Sequence, residues 1–196
     1  QTSGGVRGAL ASRADELYQS LGKNGQRAAR RLFLRLVTLG TDGTTASSSP
    51  DTRRRVQIAE LTTLDEKPEP FAKPETMESV IESFGHYRLL TFDHDPVTRG
   101  PTVEVAHEAL IREWAQLRAW LEEDREFLFW QQRLRAGLHQ WQTSEYDEGA
   151  LLRGAPLAEA ENWLNQRRID LNEAEREFIQ ASLALRERQA AEREAQ

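Results

Sequence analysis

Val103-Glu104-Val105-Ala106-His107-Glu108-Ala109-Leu110-Ile111-Arg112-Glu113-Trp114 is the stretch in which the hydrophobic period changes, from strand-like alternation to helical spacing, with a histidine at the switch. The reading of everything else depends on this junction. Before it, Thr102–Ala106 alternates Val103 and Val105 inward with Thr102 and Glu104 outward. Arg88–Phe92 is a second short apolar run, and Pro96, Gly100 and Pro101 lie between the two. The pair predicts a β-hairpin. Further upstream, Met77, Val80, Ile81 and Phe84 predict a helix over Glu75–His86, with Gly85 as its stop. Arg53–Leu64 predicts a short strand turning into helix, and Gly40–Thr52, rich in serine and threonine, predicts a mobile loop. Ala29, Leu32, Phe33, Leu36 and Val37 predict a helix over Gln26–Leu39. Gly4 and Gly5 open one more helix, carrying Val6, Leu10, Leu17 and Leu21. Helix, short strand, helix, helix and hairpin is the order of a winged helix, so Gly25–Ala106 is expected to form one: a three-helix core plus a β-wing.

After His107 the pattern is helical throughout. Leu110, Trp114, Leu117 and Leu121 predict one stretch; Phe127, Trp130, Leu134, Leu138 and Trp141 predict the next, with Asp124 as its cap. Pro156 suits the first turn of a helix bearing Leu157, Ala160 and Leu164, and Asn172 followed by Glu175 has the form of a capping box. Beyond Leu185 the residues are alanine, charged or amide, so the end of the last helix is expected to project as a connector. The fold class expected is therefore mainly α, a winged-helix module followed by an α-helical domain.

Charge and composition exclude several functions. With 26 basic and 32 acidic residues the net charge is -6, the reverse of a nucleic-acid footprint. The expected recognition helix carries Glu75, Glu78 and Glu82, which repel phosphate, and the one basic run, Arg53-Arg54-Arg55, is more simply a solvated or ion-paired edge. A DNA-binding winged-helix regulator is thus the weaker alternative, as is a purely structural helical adaptor. There is no cysteine, which removes disulfides, thiolate metal sites and cysteine nucleophiles. No apolar run has the length of a signal peptide or a membrane span, so no membrane partner is expected and the default location is cytoplasmic. The absence of a starting methionine and the polar end at Gln196 suggest a segment of a longer protein.

Catalytic and metal residues are not expected. His107-Glu108 begins like the helix of a zinc protease, but Ile111 occupies the position of the second histidine. His94 between Asp93 and Asp95 fits turn chemistry better than a metal site. Gly22-Lys23 lacks the upstream glycine and the hydroxyl of a phosphate-binding loop. The five tryptophans lie at or beside helical apolar positions and are expected mainly in the core.

Gly4-Gly5-Val6-Arg7-Gly8-Ala9-Leu10, Arg31-Leu32-Phe33-Leu34-Arg35-Leu36-Val37, Thr52-Arg53-Arg54-Arg55-Val56 and the junction itself resemble the region that follows the nucleotide-binding core in STAND signalling NTPases. The closer likeness is to bacterial members with WD-type repeats, and Leu121–Glu126 and Leu151–Gly154 extend it. The resemblance implies that residues 1–24 end a helical domain behind the NTPase core, 25–106 form the winged helix, and 107–196 form a helical domain with its connector helix. Ala106-His107-Glu108 is similar to the family's Met-His-Asp motif, whose histidine contacts the β-phosphate of ADP. His107 therefore takes the role of nucleotide-state sensor, with Gly5 and Arg7 as lesser cofactor-binding candidates. Two departures stand out: Ala106 replaces the methionine, and Arg7 stands where the related Gly-Leu-Pro motif has proline. A helix N-terminus beside an imidazole is also a reasonable anion site on physical grounds. The implied cofactors are ADP and ATP, bound only together with an NTPase core absent from this chain. The implied partners are that core and a C-terminal WD-type repeat domain, with homo-oligomerisation on activation.

Overall fold

The computed structural model describes residues 3–41, 49–62 and 68–196, and it opens with helix α1 (Ser3–Ser20). Among its described side chains only Ala14 is fully buried; Val6, expected on the inward face, is 65% exposed. Helix α2 (Lys23–Arg35) buries Ala28, Ala29, Leu32 and Phe33 on one face, as the spacing requires. It stops short of the predicted Leu39, because Val37–Thr38 forms strand β1, antiparallel to β2 (Thr52–Arg53). β-branched residues suit that pleat better than another helical turn.

The expected loop Gly40–Thr52 is pinned at both ends, and residues 42–48 lie outside the described residues. The Gly40 amide donates to Asp51 Oδ1 at 2.8 Å, and the Ser49 amide donates to Thr41 Oγ1 at 3.0 Å. Short polar side chains thus satisfy the backbone where apolar burial is lacking. A Cβ on Gly40 would lie 1.8 Å from the Ser49 carbonyl oxygen, so this crossing admits only glycine.

Strand β3 (Val56–Gln57) leads directly into α3 (Ile58–Thr62); Thr63 and Leu64, expected to continue the element, lie outside the described residues. A 3₁₀ turn at Pro70–Ala72 buries Phe71, whose ring stacks 3.7 Å from the Arg27 guanidinium carbon. Helix α4 (Pro74–His86) then buries Met77, Val80, Ile81 and Phe84. Gly85 is not the stop expected of it. The left-handed residue is Arg88, at φ 59°, and the Leu89 amide closes the helix end on the Phe84 carbonyl at 3.1 Å. Gly85 instead makes room for Phe92, since a Cβ there would lie 2.7 Å from the ring.

Strands β4 (Leu90–His94) and β5 (Pro101–Val105) form the predicted hairpin, with Leu90 opposite Val105 and Phe92 opposite Val103. Strand β3 adds to the other edge of β5, giving the order β3-β5-β4. That addition explains a miss. Thr102, expected outward, is flanked by Gln57 on one side and Asp93 on the other, and is 2% exposed with its hydroxyl unbonded.

The helical continuation comprises α5 (Glu108–Glu113), α6 (Ala115–Glu123) and α7 (Arg125–Thr143). The predicted first stretch is broken at Trp114, whose backbone is extended at φ -81° and ψ 104°. The break puts the indole among Phe33, Phe84, Tyr18 and Trp120, with ring centroids 5.0 to 6.2 Å away. Its Nε1 donates to Asp15 Oδ1 at 3.2 Å. Asp124, between α6 and α7, receives the Arg30 guanidinium at 3.3 Å.

The chain divides into two compact units, Gln1–Leu128 and Phe129–Gln196, with the division inside α7. In the first unit, residues 107–128 share one aromatic core with α1, α2 and α4. The second contains the rest of α7 with α8 (Gly154–Arg167) and α9 (Glu173–Glu194). Trp130 meets Trp163 at 5.9 Å, and Trp141 meets Phe178 at 5.5 Å. The capping box forms with both arms, Glu175 N to Asn172 Oδ1 at 2.8 Å and Asn172 N to Glu175 Oε1 at 3.1 Å. Glu175 is wholly buried and also accepts from Gln131 Nε2 at 3.1 Å. Past Leu185, α9 keeps two ionic ties, Arg186 to Glu161 at 2.9 Å and Arg188 to Glu148 at 2.7 Å.

The architecture is therefore mainly helical with small antiparallel sheets. No described helix is long and apolar enough to cross a membrane.

Candidate functional site

The end of β5 delivers His107 to the surface. The Ala106 amide donates to the Leu89 carbonyl at 3.0 Å, which extends the hairpin by one bond and fixes where the chain leaves the sheet. His107 follows in an extended conformation, φ -138° and ψ 126°, as the residue that caps α5. Its carbonyl accepts from the Leu110 amide at 3.0 Å, while its side chain makes no capping hydrogen bond and is exposed. Imidazole often caps or bonds local backbone at such a position; here the ring remains turned to solvent.

Three features refine the anion argument at this junction. Helix α5 has six residues, so it aligns few peptide dipoles and contributes little positive field. Glu108, in its first turn, faces Arg112 Nη2 at 3.9 Å, a loose exposed pair. A cation also approaches from elsewhere: Arg53 Nη1 donates to the Ala106 carbonyl at 3.4 Å, next to His107. The Arg53-Arg54-Arg55 run is thus dispersed. Arg54 donates to the Arg35 carbonyl at 3.1 Å and meets Glu60 at 3.5 Å, whereas Arg55 pairs with Glu104 at 3.1 Å and Asp93 at 3.8 Å. Neighbours in sequence, they serve three different places. Arg53 is the residue that sequence reasoning missed, and the signal for it lies in the β1–β2 pairing that brings it to the junction.

Gly5 and Arg7 sit in the first turns of α1, both exposed. A Cβ on Gly5 would meet nothing within 4 Å, so no close approach requires glycine there. The parts of α1 that reach the core are Ala14, Asp15 and Tyr18. Among the described residues no hydrogen bond or ion pair joins Gly5, Arg7 and His107 to one another.

No group of three metal-ligating side chains is found among the described residues. Around His94 the two carboxylates are used by the turn. Asp93 Oδ1 accepts the His94 amide, and Asp95 Oδ1 accepts the amides of Val97 and Thr98, each at 2.8 Å. The Thr98 and Val97 amides hold the Asp95 carboxyl below the usual carboxylate range.

A mainly helical chain with an exposed histidine where a hairpin passes into a helix defines the site. The family model described as Novel STAND NTPase 1 matches residues 1–149. The chain belongs to this STAND NTPase family. No curated protein and no solved structure matches it.

Proposed function

We propose that the chain is the regulatory segment behind the nucleotide-binding core of a STAND ATPase, and that His107 reads the state of the bound nucleotide. The observation that carries this reading is the exposed His107 ring at the β5–α5 junction, free of any capping bond. A purely structural histidine would be expected buried or bonded to local backbone. Arg53 beside the Ala106 carbonyl supplies a second donor for the β-phosphate of ADP, with the imidazole N–H as the first. Gly5 and Arg7 are secondary contacts, reached only when the core supplies the rest of the site.

In this reading Gly25–Ala106 is a winged helix. The chain order α2, then β3, α3, α4, β4 and β5 after the β1–β2 ribbon supports it, as does the pairing of β3 onto β5. The segment itself is not an enzyme. ADP holds it against the core in the resting state; exchange for ATP releases it, and the protein assembles as a homo-oligomer. The second unit, with α9 at its end, links this switch to a C-terminal WD-type repeat domain. Such a switch works by shifting a conformational equilibrium, so its contacts matter through the difference between states. The location is the cytoplasm, without nucleic acid or membrane as partner.

In the protein carrying its NTPase core, His107→Ala should lower the ADP that co-purifies and raise the oligomeric fraction. Both are measurable, by chromatography of released nucleotide and by light scattering. Unchanged nucleotide content with unchanged assembly would sink the sensor assignment.

A further inference from the structure

A groove of about 400 Å³ opens on the first unit between α4 and the sheet. Its floor is apolar, made by Ile58, Ile81, Gly85 and the ring of Phe92, and its α4 rim carries Glu78 and Glu82, with His86 at the far end. Two observations set it apart from an ordinary shallow surface. Phe92 is 50% exposed although it lies on the face of β4 shared with buried Leu90, and glycine at 85 lets its ring lie against the helix backbone. The ring is thereby a fixed platform with one side open. Second, Glu78 and Glu82 are like charges one helical turn apart, which disfavours the helix that carries them. Among the described residues neither takes part in an ion pair, and Glu75 extends the acidic row by a further turn.

An open apolar floor with an unneutralised acidic rim recognises a ligand that is apolar on one side and cationic beside it. Nucleic acid and anionic lipid surfaces are repelled by the same carboxylates. We propose that this groove is a docking site for a basic amphipathic helix of a protein partner, which seats an apolar side chain against Phe92 and Ile81 and sets lysine or arginine against Glu78 and Glu82. This inference does not rest on His107 or on bound nucleotide.

The test uses the full chain and a labelled amphipathic helical peptide of leucine and lysine, with a leucine–glutamate peptide of the same pattern as its opposite, read by fluorescence anisotropy. The lysine peptide should bind and the glutamate peptide should not. Phe92→Ala and the double variant Glu78→Lys/Glu82→Lys should each weaken binding about tenfold or more. A double charge reversal at Glu173 and Glu177, an equally spaced exposed pair on α9, should change it by less than about twofold. Equal losses in the two double variants would mean unspecific attraction to an acidic protein and would overturn the proposal, as would unaltered binding by Phe92→Ala. Sedimentation of the chain alone covers the other occupant: self-association abolished by Phe92→Ala would make the groove an interface between copies and would also overturn it. Circular dichroism of each variant verifies folding, which a half-exposed aromatic should tolerate.

Discussion

The two units solve the same problem, filling a small core, with opposite chemistry. The first is centred on aromatic rings. Trp114 meets Phe33, Phe84, Tyr18 and Trp120, while His107 and Glu78 face outward. The second turns polar groups inward. Gln131, Glu175 and Asn172 form a hydrogen-bonded network at 9% exposure or less, joining α7 to the start of α9. A ring cluster grips by area and shape, whereas a buried carboxylate demands that each donor be in place. The difference teaches where each unit has chemistry to spare: the first presents His107 and Glu78 at its surface, and the second uses Gln131, Glu175 and Asn172 to hold helices together.

The widest expected gap between the two modes comes from removing Trp114. Trp114→Ala should cost about 4 kcal/mol, by analogy with large aromatic deletions in cores. Urea unfolding followed by circular dichroism would measure it, and a loss under about 1 kcal/mol would show that the aromatic cluster is not what holds the first unit. Next comes Glu175→Leu, which strands the Asn172 amide inside the second unit and leaves Gln131 Nε2 with only the Asp170 carbonyl at 3.3 Å; about 2 kcal/mol is expected, with Glu175→Gln recovering roughly half of it. If the leucine variant proved as stable as the native chain, the network would be dispensable. The smallest effect separates an exposed carboxylate from the buried one. The folded Asp95 pKa is depressed by the Thr98 and Val97 amides, so its contribution is present above the unfolded value of 3.8 and is lost as pH falls below that towards the folded value. The amide resonances of Val97 and Thr98 should shift in that acid range while global stability changes little. Titration of those amides near neutrality would refute the assignment.

Much of the helical framework was legible because its cause is local. Met77, Val80, Ile81 and Phe84 declare their common face, and Asn172 with Glu175 declares a helix start whether or not anything packs nearby. What escaped was decided at a distance. Leu110 and Trp114 keep helical spacing, yet the chain breaks at Trp114 because its ring enters a cluster built from α1, α2 and α4. Thr102 alternates outward on a two-stranded ribbon, and only the arrival of β3 buries it. The candidate site follows the same division. His107 was visible as the residue at the change of period, and its family likeness gave it a role. Arg53 looked like part of a basic run until β1–β2 pairing carried it to the Ala106 carbonyl.

The clamp at Gly40 and Asp51 has a consequence for how this unit tolerates change. Its two strands, the Thr41–Ser49 side-chain bonds and the Arg125 contacts to Gly40 and Asp51 close the ends of the connection before its middle is reached. The stem thereby holds β1 against β2 by its own contacts, and Arg53, on β2, is held at the Ala106 carbonyl along with it. A substitution that opens the stem, Asp51→Ala for one, would therefore reach the junction at His107 through Arg53 without touching it directly.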